Sequence, residues 1–319
     1  MPNKKLKYLS MLAFTLAIIY PNYKHIDSYR VPTVFNSDEV KVLEKLNSIA
    51  DREDYVVSWW DYGYPIRYYS DVKTLVDGGK HRGSVNFPVS FILNKPQEIA
   101  SKMARLDVEY TEKAFEVREK NKDLNESQKV KLFTNIEEMT KKYGFNDTND
   151  FLLSLETDIK LPNKTRDIYF YLPYRMLNIY PTVSTFSNIN LMNGEMRQPA
   201  FFYVSRMFKQ DKNILNLGRG ILFDLQKQTV KLGNQIVPVK RFVKTAYDKN
   251  MKFQKEVKVA NPMADISIIY MSSYNIFLIL DEKSYNSLYV KLMILNEYDK
   301  TLFEPVLSNL HAKIYKLKI

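Results

Sequence analysis

Tyr55-Val56-Val57-Ser58-Trp59-Trp60-Asp61-Tyr62-Gly63 runs a short apolar segment into a pentapeptide that holds both tryptophans of a 319-residue chain. The apolar run reads as a strand, and a strand end presents side chains on a rigid support. An indole N–H only donates a hydrogen bond, an ionised carboxylate only accepts, and a hydroxyl does both. A site that offers both partners suits a hydroxyl. The same residues also fit an aromatic core cluster closed by an aspartate.

On the amino side, Ser37-Asp38-Glu39-Val40 opens a helix with Ser37 as its cap, and Val40, Leu43, Leu46 and Ile49 recur at helical spacing. On the carboxyl side, Asp77-Gly78-Gly79 signals a turn into a loop of mixed character. Residues 96–121 read as a helix with Ile99, Met103, Leu106 and Tyr110 on one stripe. Two more helices are expected over 127–143 and 148–155, then a strand over 166–172. After Pro199 the texture changes, with β-branched and aromatic residues alternating with polar ones. Strands are expected over 221–225, 229–232, 235–239, 255–259, 266–270 and 276–280, a helix over 284–295, and a last strand over 313–318 that returns to the first core. The sum is a mixed α/β (α+β) chain, with a helix-rich central core and a small β-barrel-like insertion.

At 45% hydrophobic and 26% charged, the chain has an ordinary globular composition and buries a substantial core. The absence of cysteine excludes disulfides, zinc–thiolate sites and thiol nucleophiles. The net charge of +11 suits anionic head groups or phosphates. The basic residues are interspersed with acids and form no nucleic-acid motif, so nucleic acid is not an expected partner. Lys4-Lys5-Leu6-Lys7 precedes an apolar stretch over 8–20 that Pro21-Asn22 is expected to stop. That stretch is shorter than the roughly 20 residues a bilayer requires.

Trp59-Trp60-Asp61-Tyr62-Gly63 is also the WWDYG signature of the catalytic subunit of oligosaccharyltransferases. The continuation Tyr64-Pro65-Ile66-Arg67-Tyr68-Tyr69-Ser70-Asp71, with Asp77-Gly78-Gly79-Lys80-His81, resembles the bacterial PglB family. The likeness runs on through Met103-Ala104-Arg105-Leu106, Val108-Glu109-Tyr110-Thr111-Glu112-Lys113 and Thr165-Arg166-Asp167-Ile168-Tyr169, and what it covers looks like the family's carboxyl-terminal half. The resemblance implies that residues 1–20 end the last transmembrane helix, with the preceding lysines on the cytoplasmic side. Residues 21–200 would form the central core, 201–262 the β-rich insertion and 263–319 the return to the core, all on the periplasmic face of the bacterial inner membrane.

Family members transfer a glycan from a polyprenyl-diphosphate carrier to the Asn of (Asp/Glu)-x-Asn-x-(Ser/Thr). The resemblance implies that Trp59, Trp60 and Asp61 hold the Ser/Thr hydroxyl two residues past that Asn. Met176 and Ile179 match the family's Met-x-x-Ile motif, and their spacing suits one helix face, with Ile179 against the threonine methyl. Tyr62 would shape the turn, and Gly63 would permit a backbone angle other residues resist. His81 suits loop packing. The family's divalent cation (Mn or Mg) and its carboxylates lie in the membrane half, as does the site for the lipid-linked oligosaccharide. No residue of this chain is therefore expected to be catalytic, and the isolated domain is expected to be inactive.

Asp123-Leu124-Asn125-Glu126-Ser127 is itself a sequon with an acid two residues before Asn125, in an expected inter-helix loop, which makes Asn125 a candidate for autoglycosylation. Asn146 and Asn163 head sequons that lack the acid. Two further readings remain open on sequence alone. One is a non-catalytic extracytoplasmic peptide- or carbohydrate-binding module, and the other is a glycosidase pairing Asp61 with a second carboxylate about 5–9 Å away.

Overall fold

The computed structural model describes residues 4–29, 35–197 and 200–319. Helix α1 spans Lys4–Ser28 and runs through Pro21, so the expected stop at Pro21-Asn22 does not occur. A proline inside a helix deletes one backbone donor and crowds the preceding turn, and here the Asn22 side chain donates through Nδ2 to the Ile18 carbonyl at 2.8 Å. No residue of α1 is buried, and no helix among the described residues is long and apolar enough to cross a membrane.

Helix α2 covers Ser37–Asn47. Its cap is Asn36 and not Ser37. Asn36 Oδ1 accepts from the backbone N–H of Asp38 and Glu39, at 3.0 and 2.9 Å, and Glu39 Oε2 accepts the Asn36 N–H at 2.9 Å. This reciprocal box satisfies the first orphan donors of the helix.

Strand β1 (Tyr55–Val57) leads through the 3-10 turn Trp60–Tyr62 to α3 (Gly63–Ser70) and β2 (Lys73–Thr74). Then come α4 (Asn86–Asn94), α5 (Gln97–Lys120), α6 (Glu126–Lys131), α7 (Asn135–Lys142), α8 (Thr148–Ser154), β3 (Ile168–Pro173), the 3-10 turn Tyr174–Asn178 and α9 (Tyr180–Phe186). The second half holds β4 (Phe202–Ser205), β5 (Lys209–Asp211), β6 (Ile214–Asn216), β7 (Leu222–Asp224), β8 (Thr229–Leu232), β9 (Gln235–Tyr247), β10 (Phe253–Val259), β11 (Ile266–Met271) and β12 (Ile276–Leu280). Helix α10 (Glu282–Tyr285), a π-helical turn at Val290–Ile294, β13 (Phe303–Ser308) and β14 (Ala312–Leu317) complete it.

The first sheet has the order β13-β14-β3-β1-β2, with β1 parallel to both neighbours and β14 antiparallel to β3. The carboxyl-terminal strand thus returns to the first core, as expected. Every residue of β1 and β3 is buried, the signature of central strands covered on both faces. One carboxylate fastens this sheet to α5. Glu112 accepts from Tyr55 Oη of β1 at 2.5 Å, pairs with Lys73 of β2 at 2.9 Å and meets Arg166, just before β3, at 3.2 Å. Burial alone would raise the Glu112 carboxyl, but these donors hold it below the usual carboxylate range.

The second sheet joins nine strands, in the order β4-β12-β11-β9-β8-β7-β6-β5 with β10 paired to β9. Phe223, Val230, Val239, Ile268, Phe277 and Ile279 sit in its own apolar cluster. The sheet extends beyond residue 262 and takes in β11 and β12.

Several expectations need correction. Helix α4 replaces the expected loop after Gly79; all nine of its residues are buried, so it lacks the one-sided pattern that marks a surface helix. The helix expected over 127–143 is broken between α6 and α7, and that over 284–295 divides into α10 and the π-helical turn. Strands β2, β4, β5, β6 and β13 and helices α3 and α9 fall outside the expected elements.

Candidate functional site

β1 delivers the pentapeptide to its own carboxyl end, where the chain turns immediately into α3. Trp59 is extended (φ −68°, ψ 150°) and only 2% exposed, and its ring packs on Phe186 of α9 at 5.4 Å between centroids. Trp60 opens the 3-10 turn and is half-buried, while Asp61 is exposed. One indole is therefore part of the core, and the other reaches the surface beside the carboxylate. Partial burial raises the Asp61 carboxyl above the usual carboxylate range, and the charge of His81 pulls it back down. Tyr62 is 5% exposed and lies edge-on to Tyr171 of β3 at 6.3 Å.

Gly63 corrects the expectation of an unusual backbone angle, because its φ and ψ of −60° and −50° are ordinary right-handed helix. The demand is for space. A Cβ built on Gly63 would lie 2.5 Å from Asp77 Cβ, 2.6 Å from Asp77 Cα and 2.6 Å from the Val76 carbonyl oxygen. The start of α3 is pressed directly against the backbone of the 76–77 segment.

That segment begins the Asp77–His81 loop. Asp77 Oδ1 accepts from the Gly79 and Lys80 N–H groups at 2.8 Å each, and its Oδ2 pairs with Arg67 of α3 at 2.8 Å. The loop then places the His81 ring flat on Trp60, with centroids 4.4 Å apart and planes 15° apart, while His81 Nδ1 lies 3.1 Å from the Asp77 carbonyl. Lys80 anchors the loop from below, its ammonium 3.9 Å from the Phe133 ring centroid and 5.4 Å from that of Phe115. Burial pushes the Lys80 amine down to about 8, against the pull of Asp107 and Asp77. Asp107, wholly buried in α5, is pushed up to about 6 by burial, although Asn135 donates to it at 2.6 Å.

His81 is thus part of the site, which residue type and spacing alone did not reveal. The available signal was the resemblance of the whole Asp77–His81 stretch.

Met176 is fully buried within the 3-10 turn, and Ile179 is half-buried at the junction with α9, its N–H bonded to the Met176 carbonyl at 3.0 Å. Ile179 therefore heads the same helix whose far end carries Phe186 against Trp59. Asn125 is exposed and caps α6, exchanging hydrogen bonds of 2.9 Å with Gln128. Among the described residues, no group of three or more acidic or histidine side chains is placed to hold a metal ion.

Gly63→Ala is expected to cost about 2 kcal/mol or more, because the clash is with backbone and a packed core relaxes poorly. Urea unfolding measures the loss, and tryptophan fluorescence should report displacement of His81 from Trp60. An unfolding midpoint and an emission spectrum both equal to wild type would show that the contact does not position the turn.

Residues 52–193 match the STT3/PglB/AglB core domain, and residues 201–280 match the STT3/PglB C-terminal beta-barrel domain. Two curated relatives, the undecaprenyl-diphosphooligosaccharide–protein glycotransferases of Campylobacter jejuni strain RM1221 and of C. jejuni subsp. jejuni serotype O:2, are each 41% identical over 313 residues. Those residues make up 96% of this chain and 42% of each relative, so the chain spans less than half the length of the relatives it matches. The crystal structure of the C. jejuni PglB C-terminal domain superposes with a TM-score of 0.75 at 39% identity, covering 88% of this chain and 99% of that one. The chain therefore belongs to the STT3/PglB family of oligosaccharyltransferases and corresponds to the C-terminal domain of its PglB branch.

Proposed function

We propose that this chain is the periplasmic acceptor-recognition half of a bacterial oligosaccharyltransferase, and that Asp61 with the adjoining indoles holds the Ser/Thr hydroxyl of an Asn-x-Ser/Thr sequon. The observation that carries this reading is the exposed Asp61 carboxylate beside the half-buried Trp60 ring, held in place by the Asp77–His81 loop. A peptide without the hydroxyl leaves a desolvated acceptor and donor unpaired, and sites of this kind reject such analogues by up to roughly 10⁴-fold.

Ile179 supplies an apolar contact for the threonine methyl, with buried Met176 supporting it from within the core. The glycan donor is a polyprenyl-diphosphate carrier. Its site, the catalytic carboxylates and the Mn or Mg ion belong to the membrane half of the enzyme, to whose last helix α1 is assigned. The residues described here offer no ligand set for such an ion, so no step is assigned to it within this chain.

In the full-length enzyme, Asp61→Ala should lower the rate of glycan transfer to an Asp-x-Asn-x-Thr peptide by about 100-fold or more. Turnover equal to wild type would remove Asp61 from recognition.

Burial of one methyl is worth about 0.8 kcal/mol, so wild type should prefer Thr to Ser about fourfold. Ile179→Ala should erase most of that preference by weakening Thr acceptors, as read from KM for matched Thr and Ser peptides. Equal losses on both peptides would refute the contact.

Asn125 is proposed as a site of self-modification, since its sequon carries the acid, its side chain is exposed and it precedes a helix of only six residues. Intact mass of the protein from cells with an active glycan pathway should show one glycan, absent from Asn125→Gln. An unmodified Asn125 peptide would end the idea.

A further inference from the structure

A cleft of about 290 Å³ opens beside α4, α8 and the chain that follows α9. Phe91, Ile99 and Leu152 supply apolar lining, Asn149 supplies polar lining, and two cations, Lys95 and Arg197, share the cleft with one acid, Glu156. The charges are out of balance. The Lys95 ammonium lies 5.1 Å from the Phe91 ring centroid, and neither it nor the Arg197 guanidinium makes an ion pair among the described residues. Burial lowers the Lys95 amine, Lys283 and Arg197 push it the same way, and only Glu156 opposes them. A desolvated cation beside two others is unfavourable unless an anion joins it.

A second polar group is also unsatisfied. Asn149 donates through Nδ2 to Asn190 Oδ1 at 3.2 Å, but its own Oδ1 is buried without a partner. A ligand that fits therefore brings an anion, an N–H donor and an apolar surface together. An acidic stretch of polypeptide has all three.

The cleft is also within reach of the sequon pocket. The Trp59 and Phe186 rings touch at 5.4 Å, and Phe186 is four peptide units from Asn190, which lines the cleft. At 3.8 Å per unit that separation is at most about 15 Å. With the Trp59–Phe186 contact, both side chains and the step to Asp61 added, the path is on the order of 20–30 Å, and an extended peptide advances about 3.4 Å per residue, so a side chain about six to nine residues from the sequon Ser/Thr arrives there.

We propose that this cleft is an exosite for the acceptor polypeptide, in which Lys95 and Arg197 bind an acidic side chain flanking the sequon while the backbone donates to Asn149. The inference rests on the assignment of Trp59–Asp61 to the sequon hydroxyl.

The test uses the full-length enzyme and two sets of Asp-x-Asn-x-Thr peptides. One carries a single Glu at about six, seven, eight or nine residues after the Thr, the other carries it at the same distances before, and each is compared with an all-Ala flank. At least one Glu peptide should show a KM lower by about threefold to fivefold, the range of a partly solvated ion pair. Lys95→Met and Arg197→Gln should each abolish that advantage, leaving kcat and the KM of the all-Ala peptide unchanged, whereas Lys95→Arg should retain part of it. Melting temperatures near wild type show that the variants are folded.

Equal KM for every Glu peptide and the all-Ala peptide in wild type overturns the exosite, as does an advantage that persists in Lys95→Met. Asp61→Ala, assayed on the all-Ala peptide, separates the two ideas. If it abolishes transfer while no Glu position helps, only the exosite fails; if transfer is unaffected, the sequon assignment fails first.

Discussion

The site depends on one close backbone approach, that of Gly63 to the Val76-Asp77 segment, where no side chain fits between α3 and the loop beneath it. Because the two backbones touch, Asp77 is near enough to pair with Arg67 of α3 and to cap the Gly79 and Lys80 N–H groups. The capped loop then sets His81 on Trp60. The surface indole and the neighbouring carboxylate thus gain their orientation from a segment about 20 residues downstream, through contacts that cannot shift independently. A pocket held this rigidly loses little conformational entropy on binding a ligand.

Two buried charge arrangements hold this assembly on the core. Glu112 ties the amino-terminal ends of β1 and β2, and the residue leading into β3, to α5. One to two turns earlier on α5, the charge of Asp107 acts on Lys80, whose ammonium lies against the Phe133 and Phe115 rings. Both arrangements place full or partial charges where water is scarce. Each is sustained by several partners, as buried charge requires. Helix α5 is therefore the support on which the strand end and the loop are fixed relative to each other.

Much of this organisation was legible in the sequence. Strands β8 and β12 run over the residues that alternation and turn signals indicated, β1 covers the expected Tyr55–Val57, and α5 differs from the expected helix by one residue at each end. The parts that escaped share a physical cause, since they lack a one-sided pattern or have their ends set by tertiary contacts. Helix α4 is buried all round, β5 and β6 are three-residue strands, and the π-helical turn interrupts an otherwise regular apolar periodicity. Pro21 fails to stop α1, and Asn36 caps α2 one residue before the serine that propensity favours. Donor and acceptor chemistry singles out Trp60 and Asp61 in the sequence, and the structure brings both to the surface at the end of β1. The need for Gly63 and the place of His81 emerge only when residues 63 and 77–81 are brought together in space.

The division of the two indoles bears on the proposed recognition of the sequon. Trp59 is core and stiffens the strand end against α9, while Trp60 and Asp61 face outward. The most direct measurement is a structure of the full-length enzyme with a bound Asn-x-Thr peptide. The account predicts the threonine Oγ1 within about 3.2 Å of the Asp61 carboxylate, with the Trp60 indole N–H as its donor. A threonine hydroxyl bound elsewhere, with Asp61 left to solvent, would contradict it.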